Sequence, residues 1–199
     1  MLKKDEIKVL KVLLSNLTKD FTIMDISREL KQKYVQTYRT VNNLHIQKEI
    51  SIKKVGKSKV AKLDLARFNP NYVLAELERA NDICKRSTMK TMRESISDIN
   101  KNFICILFGS QVDKHKEKSD IDLLFLISED TSIEKFEREA RNNMVAHNAD
   151  INIAYYKSLH EMLSHPEKLN IGNEMLKKHI VLYGTEHFLN LLRKHYVGQ

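Results

Sequence analysis

Phe103-Ile-Cys-Ile-Leu-Phe-Gly109-Ser110, followed after a polar loop by Ser119-Asp120-Ile121-Asp122-Leu-Leu-Phe-Leu-Ile127, is the stretch that decides the fold. Each apolar run reads as a buried strand, and both are far too short to cross a bilayer. Between them lies a polar loop from Gln111 to Lys118. Downstream, Ile133, Phe136, Ala140 and Met144 make one face of a helix running from Ile133 to Val145. A third strand is expected at Asp150-Ile-Asn-Ile-Ala-Tyr155.

The carboxylates sit where strands begin. Residues two apart on a strand point the same way, roughly 7 Å apart. Asp120 and Asp122 therefore face one side, and Asp150 joins them if its strand neighbours theirs. Three convergent carboxylates repel one another and resist ionisation unless a cation compensates. Mg²⁺ suits such oxygens, and two ions roughly 4 Å apart can hold the attacking and leaving oxygens of an in-line displacement. Gly109 lets the backbone approach a phosphate, and the Ser110 hydroxyl and nearby N–H groups can bond it. Lys114, Lys116 and Lys118 could add positive charge to the same anion. A Gly-Ser pair or an Asp-x-Asp alone is weak. Their order and placement on strands carry the signal.

Residues 88–185 resemble the DNA polymerase β-like nucleotidyltransferase superfamily in its minimal form. The resemblance rests on Ile106-Leu-Phe-Gly109-Ser110, Ser119-Asp120-Ile-Asp122-Leu-Leu124 and the strand aspartate Asp150. It implies Mg²⁺ held by Asp120, Asp122 and Asp150, with Gly109 and Ser110 binding the nucleotide. It implies that Asp150 helps activate an acceptor hydroxyl. The substrate would be an NTP, ATP being the first choice, and a nucleoside monophosphate would be transferred with release of pyrophosphate. A partner protein in a toxin–antitoxin-like system is one acceptor the resemblance suggests. The spacer departs from the family in lacking a glycine and in being one residue shorter.

The N-terminal third has different chemistry. Residues 1–67 hold 16 Lys and Arg against 7 Asp and Glu, while the remainder is close to neutral, so the chain's +8 charge belongs to this third. Ile7, Leu10, Leu13, Leu14 and Leu17 recur at helical spacing, and Asp20-Phe21-Thr22 breaks the pattern. Thr22 suits the N-cap of a second helix through Leu30. A third helix is expected from Val35 to Gln47, with Tyr38, Val41, Leu44 and His45 inward. Ile50 to Val55 and Val60 to Leu65 then alternate about the turn Gly56-Lys57-Ser58. Three helices and a hairpin resemble a winged helix-turn-helix. That likeness implies double-stranded DNA contacts through Gln36, Thr37, Arg39, Thr40, Asn42 and Asn43, with Lys53, Lys54, Lys57 and Lys59 on a cationic wing.

The expected class is α+β. A winged helix spans 1–67, a helical connector 68–87, and a mixed-sheet nucleotidyltransferase fold with flanking helices 88–199. Pro70 marks the boundary. Tyr72 to Ile83 and Ser87 to Asn100 read as helices, the methionines Met89 and Met92 as core filler. Surface helices interrupted near Pro166 fill Lys157 to Lys178, and Thr185 to Tyr196 is amphipathic. That last stretch packs on the domain or meets a partner, a homodimer being one option. The opening residues lack a secretory leader's pattern, and Cys84 and Cys105 read as reduced thiols, so the cytoplasm is the expected compartment. The rival reading is a winged-helix transcriptional regulator whose nucleotidyltransferase fold is an inactive sensor or dimerisation module.

Overall fold

In the computed structural model, which describes residues 2–113 and 120–197, periodicity sets the N-terminal elements. Helix α1 (Lys4–Ser15) buries Ile7, Val9, Leu10, Leu13 and Leu14 on one face. It ends before Leu17, which packs on the core from the following loop. Strand β1 (Phe21–Thr22) occupies what the sequence suggests is only a break. Thr22 then caps α2 (Ile23–Glu29): its hydroxyl accepts from Asp25 N–H, and the Asp25 carboxylate accepts from Thr22 N–H, a reciprocal capping box. Helix α3 (Tyr34–Ile46) buries Thr37, Val41 and Leu44. Tyr38 is half-buried, whereas His45, expected inward, is exposed and sets its Nδ1 3.2 Å from the Ile50 carbonyl oxygen.

Strands β2 (Ile50–Val55) and β3 (Ser58–Leu63) form a tight hairpin. Its turn needs the positive φ of Gly56, which glycine adopts without steric cost. With β1 they make a three-stranded sheet, ordered β1-β3-β2.

Helix α4 (Pro70–Ile83) starts with Pro70 at its first turn, where no backbone donor is lost, and Asn69 as N-cap. Its Tyr72 and Ala75 join a core shared by α1 and by the sheet residues Ile104, Ile106, Leu124 and Leu126. Two buried side chains bind it to its surroundings. Arg79 donates to the Leu14 carbonyl at 3.0 Å, to the His179 carbonyl and to Glu76. Glu76 in turn accepts from Val181 N–H at 3.0 Å. The segment that the sequence suggests is a connector thus buries one face against the rest of the protein, while Leu74, Leu77 and Glu78 stay exposed on the other. Helix α5 (Ser87–Ser97) follows and buries Met89, Met92 and Ile96.

The second sheet holds β4 (Phe103–Phe108), β5 (Ile121–Ile127), β6 (Ala149–Tyr155) and β7 (His179–Tyr183), ordered β6-β5-β4-β7. It is mixed: β5 and β6 run parallel, and the other pairs are antiparallel. Alternation sorts its side chains. Cys105, Leu107, Leu123 and Phe125 face one core with α5 and α6 (Ile133–Asn143), while Ile104, Ile106, Leu124 and Leu126 face the other. Helices α7 (Tyr156–Leu163), α8 (Ile171–Lys177) and α9 (Thr185–Val197) complete the chain, with Pro166 between α7 and α8. The class is α+β, and among the described residues no helix is long and apolar enough to cross a membrane.

Candidate active site

A 3-10 turn, Gly109–Val112, takes the chain out of β4. Gly109 has φ +71°, in the left-handed region. A Cβ on Gly109 would lie 2.2 Å from Asp122 Oδ2, so the turn is pressed against that carboxylate. Only glycine satisfies both conditions.

Strand register makes one continuous row. Asp150 is opposite Asp122, Asp122 opposite Phe108, and Phe108 opposite His179. Neighbours in register point to the same face of a sheet. Asp122 and Asp150 therefore share a face, and Asp120, immediately before β5, shares it with Asp122. Burial raises the Asp122 pKa from its ordinary value, and the charges of Asp150 and Asp120 push the same way. The exposed Asp120 accepts a 2.5 Å hydrogen bond from Asn148 Nδ2. His147, adjacent in sequence, turns away and sets its Nε2 3.3 Å from Ser95 Oγ. His179 is buried, and burial and nearby Arg79 hold its imidazole well below its usual pKa, so it stays neutral.

Two cations that the sequence does not single out brace the turn. Arg86 donates to the carbonyls of Gln111 (3.2 Å) and Asp113 (2.8 Å), and Lys178 pairs with the Asp113 carboxylate. Ser110 is half-buried, and its carbonyl accepts from Asp113 N–H at 3.2 Å. Lys114, Lys116 and Lys118 lie outside the described residues.

The oxygen donors fit a hard cation. Asp122 carries a cost for holding its charge beside Asp150 and Asp120, which a divalent ion would remove. Among the described residues no group of three or more His, Cys, Asp or Glu side chains is placed to hold a metal ion, so Asp120, Asp122 and Asp150 share a face without closing around one point.

The N-terminal candidates divide. Gln36, Arg39 and Asn43 are exposed on α3 beside a groove of about 380 Å³, also lined by Thr40, Lys3, Lys33, Asp5 and Glu6. Gln36 donates to Asp5 at 3.3 Å, and the Thr40 hydroxyl donates to the Gln36 carbonyl at 3.1 Å. Thr37 requires correction: it is fully buried and cannot reach a groove ligand, because position 37 lies on the inward face of α3 one turn before Val41. Lys53, Lys54, Lys57 and Lys59 are all exposed. Lys54 is directly opposite Lys59, a like-charge pair, and Lys59 leans back to Tyr38, 3.0 Å from its hydroxyl. No family model matches the chain, and no curated protein or solved structure matches it either.

Proposed function

We propose that the chain is a Mg²⁺-dependent nucleotidyltransferase that moves a nucleoside monophosphate, AMP first, from an NTP to an acceptor hydroxyl. One observation carries this reading: Asp122 and Asp150 are paired in register, with Asp120 before them and the Gly109 turn against Asp122. Gly109 and Ser110 would bind the triphosphate, and Asp120, Asp122 and Asp150 would hold the metal. Bound Mg²⁺ supplies charge neutralisation at the phosphates and orients the reacting oxygens. Asp150, on the sheet's edge strand, would accept the acceptor's proton on a carboxylate oxygen. The acceptor oxygen bonds to the α-phosphorus, the α–β bridging bond breaks, and pyrophosphate leaves.

The basic N-terminal third supports a second role for the same chain: a winged helix on double-stranded DNA, with Arg39 and Asn43 toward the groove and Lys53, Lys54, Lys57 and Lys59 toward phosphates. The opposed Lys54 and Lys59 favour it, because a polyanion relieves their repulsion. A partner protein as acceptor and a cytoplasmic location complete the proposal. The test is transfer of α-labelled AMP to the chain itself or to a partner in Mg²⁺. Wild type should label; Asp120→Ala with Asp122→Ala should lose the label while staying folded by circular dichroism. Labelling that survives in the double variant rejects the site. A chain that binds DNA but no NTP favours the regulator reading instead.

A further inference from the structure

His160 on α7 and His195 on α9 face each other away from the aspartate row. Their Nδ1 atoms are 3.2 Å apart and their rings nearly perpendicular, at 74°. They are 35 residues apart in sequence, so tertiary packing of two helices brings them together. His195 is buried, while His160 is exposed, so the pair has an inner anchor and an outer door. Burial and the neighbouring His160 hold His195 below its usual imidazole pKa, which leaves a ring nitrogen unprotonated at neutral pH. Two nitrogens on a tetrahedral Zn²⁺, each at its usual bond length, stand roughly 3.3 Å apart.

We propose that His160 and His195 form a binding site for a borderline divalent transition ion, Zn²⁺ by preference, clipping α7 to α9. Both rings take the tautomer with the proton on Nε2 and the lone pair on Nδ1. Among the described residues no third His, Cys, Asp or Glu joins such a group, so water completes the shell. Imidazole suits Zn²⁺, Ni²⁺ and Cu²⁺, whereas Mg²⁺ prefers oxygen, so the site is chemically distinct from the carboxylate row. In the metal-free chain the same atoms share one N–H···N hydrogen bond, and the experiment separates the two arrangements.

The full chain, stripped with a chelator, is titrated with ZnCl₂ by calorimetry near neutral pH, while the histidine ring signals are followed by NMR. Saturable Zn²⁺ binding is expected, with shifts of the His160 and His195 signals and none on adding MgCl₂ alone. The exposed position makes His160→Gln the safer variant; it should weaken Zn²⁺ by about tenfold or more, since even outer-sphere partners of ligands cost that much. Asp120→Ala with Asp122→Ala should leave this binding unchanged. Absence of Zn²⁺ binding, binding indifferent to His160→Gln, or binding lost in the aspartate variant would each overturn the proposal.

Discussion

Gly109 illustrates how much one residue can carry. Alanine there would adopt a left-handed backbone at about 1–2 kcal/mol and would also drive its Cβ into the Asp122 carboxylate. Gly109→Ala should therefore lower stability by more than the backbone cost, read by urea unfolding. It should also cut AMP transfer by about a hundredfold, since small displacements near reacting groups have that effect. Asp122 makes a prediction of opposite sign. Its raised pKa means that the folded protein binds a proton more tightly than the unfolded chain. Stability must then fall as pH rises from the ordinary carboxylate range through the raised value, and stay reduced above it. Asp122→Asn should be more stable than wild type at neutral pH without Mg²⁺, with the advantage vanishing in acid, while transfer is lost. Equal unfolding midpoints at both pH values would contradict the electrostatic account.

Among the elements, the hairpin and α3 give the clearest contrast. Replacing Lys53, Lys54 and Lys57 by alanine should reduce the slope of log affinity for duplex DNA against log salt by about 0.9 for each lysine that meets a phosphate. Arg39→Ala should weaken binding, whereas Thr37→Val should leave it unchanged because Thr37 is buried. Fluorescence anisotropy across a salt series reads all three variants. Much at this scale is legible in sequence. The 3.6-residue spacing of Ile7, Leu10 and Leu14 and the capping pattern at Thr22 are local signals. So is the two-residue period that puts Asp120 and Asp122 on one face. Strand β1 is not legible, because two residues are too short to show a period and Phe21 is held by pairing with Ala61. The register of Asp150 with Asp122 is equally hidden, since pairing between distant strands is set by packing. Arg86 and Lys178 escape for the same reason: each meets the Gly109–Val112 turn or its following residue from a distant point in the chain.

Across the whole molecule, Arg79 and Glu76 bind α1 to β7 through buried hydrogen bonds. Removing one member of a buried charge pair costs about 3–5 kcal/mol because the other is left uncompensated. Arg79→Ala should lower the unfolding free energy by that amount, read from denaturant curves. Fluorescence and circular dichroism should still report a single transition, because one core runs from α1 to the second sheet. Two separated transitions would mean that the halves melt apart. The buried face of α4 also bears on where the chain can be divided. A cut at Pro70 would strip the Leu14 carbonyl of its guanidinium partner and uncover apolar surface on the first helix. Neither portion keeps its interior covered without the other, so each alone should aggregate or stay unfolded where the intact chain folds.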